Sequence, residues 1–242
     1  MVLIILATAG VQMVTYYALK MFHFSRSKFP YFKGIHWPLF LNSWKYLFKE
    51  IFQRKSYFFD TEKERPTIID CGSNVGFSVI FFKKLYPKAK IICFEANPKV
   101  FKLLEDCIEK NSYKDVSIYN VALAENEGEK VSFFLDQESS LGSSLFKRKN
   151  LNEKVEVFTE RLSKYIKGPV DFIKIDIEGA ENLVLKELDG SGVLGHILQG
   201  VIEFHYLPNN SLATTCEILE RNNFEFKIKS GVTPEFSDTV KN

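Results

Sequence analysis

The sequence predicts an α/β domain, a doubly wound and mostly parallel sheet over residues 67–242 preceded by an N-terminal helical appendage. Two observations carry this. From Thr67 onward, short apolar runs rich in Ile, Val and Phe alternate with segments of helical spacing, the pattern of parallel strands joined by crossover helices with both sheet faces covered. A chain of 242 residues, 45% of them hydrophobic, is also long enough to bury such a core.

The elements follow in order. Residues 2–19 carry no charged side chain, and as a helix these 18 residues reach roughly 27 Å, just short of a hydrocarbon core. Lys20, Arg26, Lys28 and Lys33 follow, a basic flank that would leave the downstream domain in the cytoplasm. Residues 1–21 are therefore expected to form a hydrophobic helix and a candidate membrane anchor. Thr8, Gln12 and Thr15 give it a polar stripe that equally suits a helix packed on the domain. Residues 22–66 are aromatic-rich and amphipathic. Trp37, Phe40, Leu41, Trp44, Leu47, Phe48 and Ile51 fall at helical spacing, with Lys45, Lys49 and Glu50 opposite, a helix suited to cover one edge of the domain.

Thr67–Cys71 and residues 90–95, 116–120, 170–177, 200–205 and 224–228 read as strands, with 131–135 and 155–158 as strands of an insertion. Residues 75–86, 99–110, 180–188 and 212–222 read as helices, Pro98 standing in the first turn of the second. A net charge of +2 lacks the basic excess of a nucleic-acid binder, so no nucleic-acid partner is expected. Cys71, Cys93, Cys107 and Cys216 form no CxxC pair. They suggest neither a zinc site nor a disulfide framework, so no metal is expected and a reducing, cytoplasmic compartment fits.

In open α/β sheets, ligands bind at the carboxyl ends of the strands. The first strand ends in Asp70-Cys71-Gly72-Ser73-Asn74-Val75-Gly76, with glycines for a tight turn and close approach of a ligand. The dinucleotide pattern G-x-G-x-x-G fails at Asn74 and Phe77. A carboxylate at Asp70 would repel a pyrophosphate and attract a sulfonium or ammonium group, as in S-adenosylmethionine. Glu95 follows Asp70 by 25 residues, near the ~20-residue offset at which an acidic side chain accepts ribose hydroxyls. Asn120-Val121-Ala122-Leu123 places a small residue where a purine could lie flat.

The sharpest cluster is Ile173-Lys174-Ile175-Asp176-Ile177-Glu178-Gly179-Ala180-Glu181. Alternation puts Lys174, Asp176 and Glu178 on one side, and charges in an apolar central strand are expensive unless paired or functional. The next strand adds Glu203 and His205. Asp176 and His205 are the candidate general bases and Glu178 the residue that orients an acceptor; Glu203 is a candidate acceptor contact. A Lys174–Asp176 structural pair with Glu178 at the next helix is the alternative reading.

The series D-C-G-S-N-V-G, F-E-A-N-P, N-V-A-L, I-K-I-D-I-E-G-A-E and V-I-E-F-H, over about residues 67–206, resembles the FkbM-type S-adenosylmethionine-dependent methyltransferases. The resemblance implies a Rossmann-like class I methyltransferase fold and O-methylation of a hydroxyl on a sugar, glycolipid or secondary metabolite. It implies a cofactor-binding set of Asp70, Gly72, Asn74, Gly76, Glu95, Asn97, Asn120 and Ala122. Asp70, Gly72 and Gly76 would line the methionine part and Glu95 the ribose. Ser144, in Ser143-Ser144-Leu145, would lie in a loop near the acceptor. The fold also implies an antiparallel closing hairpin, for which residues 232–236 are the candidate last strand. Two other readings remain: a non-catalytic, membrane-tethered interaction module, and a nicotinamide-dependent oxidoreductase, which would want glycine in place of Asn74.

Overall fold

The computed structural model describes residues 2–8, 43–136, 141–148, 151 and 153–230. In chain order these form β1 (Val2–Thr8), α1 (Ser43–Phe48) continued by a π-helical turn (Lys49–Gln53), β2 (Thr67–Cys71), α2 (Phe77–Leu85), β3 (Lys90–Phe94), α3 (Pro98–Lys110) and β4 (Val116–Tyr119). Then come β5 (Ala122–Leu123), β6 (Lys130–Leu135), β7 (Glu153–Glu160), β8 (Phe172–Ile175), α4 (Glu181–Gly190), β9 (Gln199–Phe204), α5 (Leu212–Arg221) and β10 (Phe224–Ser230). Seven strands make one sheet in the order β10-β1-β9-β8-β2-β3-β4, and β5, β7 and β6 make a small second one. The run β9-β8-β2-β3-β4 is parallel, so the Rossmann-like, doubly wound reading holds.

Adjacent strand residues feed opposite layers, as period-2 geometry demands. Ile69 and Ile173 pack with Val184, Leu185 and Ile218 of α4 and α5, while Ile68 and Phe172 pack with Phe52, Phe81 and Leu104 on the other face. The abundant Phe side chains concentrate in that second layer. Phe59 stacks on Phe172 at 4.5 Å between ring centroids and Phe52 meets Phe81 edge-on at 5.6 Å, contacts that add to simple area burial. Asn97 caps α3, accepting from the Lys99 and Val100 amides, with Pro98 at the first helical position.

The N-terminus differs from the expected helix. Val2–Thr8 is a strand, antiparallel to both β9 and β10. Val2, Ile4 and Leu6 enter one core layer and Leu3 and Ile5 pack against the other, so neither face is polar. A seven-residue apolar run covered on both faces is indistinguishable by periodicity from a piece of buried helix, and here neighbouring strands satisfy its backbone. β1 thus supplies the antiparallel strand that the resemblance sought at residues 232–236, which lie outside the described residues, as do residues 9–42. Among the described residues no helix is long and apolar enough to cross a membrane. Glu50, expected on the solvent side of its helix, is buried and bonds Arg54 and Ser56.

Candidate active site

The carboxyl ends of β2, β3 and β8 meet at one cleft. Gly72 turns the chain out of β2 at φ +84°, and a Cβ there would stand 1.9 Å from the Asp176 carbonyl oxygen. Only glycine lets this loop pass the end of β8 so closely. The Gly72 and Ser73 amides both donate to the Phe94 carbonyl, at 2.9 and 3.0 Å, fastening the loop to β3. The cleft encloses about 630 Å³ of empty space, open solvent included. Gly72, Asn74, Glu95, Ala122, Asp176 and Glu178 are among the residues that line it, with Leu141, Ser143 and Leu145 of the loop after β6 on the far wall.

Glu95 is held by two backbone amides. Its Oε2 accepts from the Asn74 amide at 2.9 Å and its Oε1 from the Asn97 amide at 2.8 Å. Burial pushes its pKa up to about 7, against the pull of those two amides. Among the lining residues three are carboxylic acids (Glu95, Asp176 and Glu178) and none is basic. Such a wall disfavours a pyrophosphate and suits a cationic adenosyl donor, a direct point against the nicotinamide reading.

Several expected site residues stand elsewhere. Asp70 has no solvent exposure. Its Oδ2 accepts from the Ser78 hydroxyl at 2.5 Å and its Oδ1 lies 3.4 Å from Lys174 Nζ, so it braces the loop from beneath instead of lining the cleft. Gly76 packs on α3, where a Cβ would press on Cys107 Sγ at 2.9 Å. Asn97 is a helix cap, and Asn120 Nδ2 donates to the Glu95 and Ala96 carbonyls at 2.8 and 3.1 Å; both shape the wall from behind. Ser144 is buried and donates to the Glu178 carbonyl at 2.6 Å, so it fixes Glu178 and presents its neighbours to the cleft. Glu203 is buried against Tyr57.

Asp176, Glu178 and His205 do converge. β8 ends at Ile175, and Glu178 adopts φ +55°, so strict alternation stops where these side chains gather. One donor atom of each lies within 4.8 Å of the others. Each is already engaged: Asp176 Oδ2 by Lys174 Nζ at 3.3 Å, Glu178 Oε2 by Arg148 at 3.0 Å and His205 Nε2 at 3.5 Å, His205 Nδ1 by Glu181 at 2.9 Å. The trio is thus an ion-pair network with its counter-charges built in. Burial opposes the charge on His205, but the Glu181 hydrogen bond and the charges of Glu178 and Asp176 outweigh it and bring the imidazole to about 9. Lys174 is likewise held above its usual value: burial opposes this, while Asp176, Asp70 and Glu203 outweigh it. The Lys174–Asp176 pair weighed as an alternative therefore exists, inside the same cluster.

Sequence reasoning missed Tyr57 and Arg148, which no spacing announces, and the role of Glu181. The last had a signal: it closes the I-K-I-D-I-E-G-A-E run, and a carboxylate without solvent exposure at a helix start calls for a partner.

A doubly wound sheet with an acidic, phosphate-averse cleft at the ends of β2, β3 and β8 fits the class of nucleoside-cofactor enzymes. Residues 70–226 match the Methyltransferase FkbM domain. The chain belongs to this family of methyltransferases, whose methyl donor is S-adenosylmethionine. It is similar to Methyltransferase 1 of Beauveria bassiana, with 26% identity over 168 residues, 60% of this chain and 67% of that one. Methyltransferase sdnD of Sordaria araneosa is 28% identical, covering 60% and 69%. The 2-O-methyltransferase NoeI of Sinorhizobium fredii is 29% identical over 51% of this chain and 58% of its own length. Among solved structures, the precorrin-6y C5,15-methyltransferase of Geobacter metallireducens overlaps 65% of this chain and 62% of that one, at 14% identity and a TM-score of 0.39.

Proposed function

We propose that the protein transfers a methyl group from S-adenosylmethionine to a hydroxyl of a small molecule such as a sugar, glycolipid or secondary metabolite. The observation that carries this reading is that Asp176 and Glu178 line the same cleft as Gly72, Asn74 and Glu95. Donor and acceptor groups thereby share one enclosure. The name of the 2-O-methyltransferase relative supports a hydroxyl acceptor.

When bound, the sulfonium supplies an electrophilic methyl group. Glu95 accepts hydrogen bonds from the ribose hydroxyls, and Gly72 and Ala122 leave room for the rest of the nucleoside. Asp176 takes the proton of the acceptor hydroxyl: its Oδ2 is occupied by Lys174, leaving Oδ1 for the acceptor. A base so placed is typically worth 10²–10⁴-fold. His205, charged at neutral pH, holds Glu178 together with Arg148, and Glu178 orients the acceptor. Loss of positive charge in the transfer makes a close, dry enclosure favourable.

The test is incubation with methyl-labelled S-adenosylmethionine and fractionated hydroxylated metabolites, followed by identification of the labelled product. An O-methylated product whose formation falls at least about 100-fold in Asp176→Asn is the expected result. A labelled product carrying the methyl on nitrogen or carbon would overturn the reading.

A further inference from the structure

The segment between the π-helical turn and β2 precedes the family match, yet it reaches the catalytic strand ends. Tyr57 is 2% exposed. Its hydroxyl lies 3.4 Å from Asp176 Oδ2 and 3.4 Å from Glu203 Oε2, and Lys174 Nζ stands 5.2 Å from its ring centroid. A phenol carries one proton. It can donate to one of two flanking carboxylates, and it bonds the other only if that group is itself the donor, that is, protonated. A half-buried carboxylate, Asp176, and a buried one, Glu203, joined through one hydroxyl therefore sort into one acid and one anion.

The surrounding charges decide which is which. Lys174 on β8 pairs with Asp176 at 3.3 Å and with Asp70 on β2 at 3.4 Å. Asp70, Glu50 and, through space, Tyr46 face the same pocket of charge, with Arg54 near Tyr46; Glu178 and His205 face Glu203 from the cleft side. The ammonium, which donates to the Gly72 carbonyl at 2.7 Å, thus pairs with Asp176 and Asp70. We propose that Tyr57 is a positioning residue: its hydroxyl donates to Asp176 and accepts from a protonated Glu203, so that of these two carboxyl groups Asp176 is the one left to accept a proton. The proposal rests on the base assignment made above and names the group that enforces it. Burial and the nearby Asp176 raise Glu203 to about 8, and burial holds the Tyr57 phenol well above its ordinary value, in keeping with both protons staying where the geometry puts them.

Tyr57→Phe keeps the ring and its place over Lys174 and removes only the hydroxyl. The readout is the carboxyl ¹³C titration of Glu203 in the free protein, which needs no acceptor. With its acceptor gone, the neutral form of Glu203 is destabilised, and its midpoint is expected to fall by about half a unit or more. A midpoint that rises means Tyr57 was donating to Glu203, and one that stays put means no bond; either overturns the proposal. Tyr86→Phe, which loses a half-buried phenol's bond to the Phe59 carbonyl, is expected to leave Glu203 unmoved. S-adenosylmethionine affinity measured by calorimetry is expected to change less than about twofold in Tyr57→Phe, because the phenol acts through Asp176. The two readings fail separately: full methyl transfer by Asp176→Asn refutes the base, while the Glu203 titration reports on Tyr57 alone.

Discussion

His205 Nδ1 stands 2.9 Å from Oε1 of Glu181, a carboxylate with no solvent exposure. The other Glu181 oxygen accepts from Asn210 Nδ2 at 2.5 Å, and the Gly179 amide donates to Oε1 at 3.0 Å. The carboxylate is therefore fully held, and it fixes the imidazole with Nε2 toward Glu178. This has a pH signature. The folded pKa of His205, about 9, lies above its ordinary 6.5, so the stabilisation is complete below 6.5 and is lost as pH rises through about 9. At about 1.4 kcal/mol per unit this is on the order of 3 kcal/mol. Glu203, raised to about 8 from 4.5, changes in the same direction over a lower window. Calorimetric melting is thus expected to show a falling Tm from slightly acid to alkaline pH. In Glu181→Gln the fall above neutrality flattens; an unchanged slope would sink the assignment.

Gly72→Ala tests the close approach of the first loop to β8. The residue has φ +84°, and the new Cβ would meet the Asp176 carbonyl at 1.9 Å. Gly128→Ala is the control, with φ +75° and nothing within 4 Å of the added carbon. Left-handed backbone costs a non-glycine residue about 1–2 kcal/mol, and Gly128→Ala is expected to lose only that in denaturant titration. Gly72→Ala is expected to lose more than twice as much and to weaken cofactor binding, since the backbone of Asp176 must move. Equal losses would show that the contact is slack.

Glu95 offers a second pH handle, on binding. Burial raises it to about 7, and only the ionised carboxylate accepts hydrogen bonds on both oxygens from ribose hydroxyls. The Kd for S-adenosylmethionine is expected to rise severalfold from pH 8 to pH 6, limited to about tenfold per unit by one titrating group. Glu95→Gln is expected to weaken binding about tenfold at the higher pH, the scale of a charge-assisted hydrogen bond, and to remove the pH dependence. A Kd independent of pH in the unaltered protein would place the ribose elsewhere.

The parallel half of the fold was legible because its strands are short apolar runs punctuated by Gly72, Pro98 and Asn120, which stop strands and start helices for reasons of backbone chemistry. Asp176, Glu178 and His205 were legible as a group because they follow directly on the apolar runs of β8 and β9, where charge is costly unless paired or used. What sequence could not separate was lining from bracing. Asp70, Asn97, Asn120 and Ser144 belong to the right motifs, yet Asp70 Oδ2, Asn97 Oδ1, Asn120 Nδ2 and the Ser144 hydroxyl are engaged with Ser78, the start of α3, the Glu95 carbonyl and the Glu178 carbonyl. Motif membership fixes neighbourhood, and only geometry fixes facing. Tyr57 was invisible for another reason: it reaches Asp176 across 119 residues of sequence, and no local period encodes such a contact.

The N-terminal run was read as helix because it is apolar throughout, and the same property makes it a strand between two others. Ile4 separates the alternatives. It is 0% exposed, pairs with Ile202 of β9 and Ile228 of β10, and sits in the core layer with Ile69 and Phe204. Truncating it removes most of a buried side chain at a site hemmed by neighbouring strands, where collapse is hindered, so Ile4→Ala is expected to cost about 2–5 kcal/mol. Val2→Ala, nearer the strand end and 7% exposed, is expected to cost less. A helix detached from the domain would show neither loss, and denaturant midpoints within experimental error of the unaltered protein would remove β1 from the sheet. Amide exchange gives the same answer independently. In a strand bonded on both sides, the amides of residues 3–7 are expected to exchange as slowly as those of β9, because opening them requires parting β1 from β9 and β10 together.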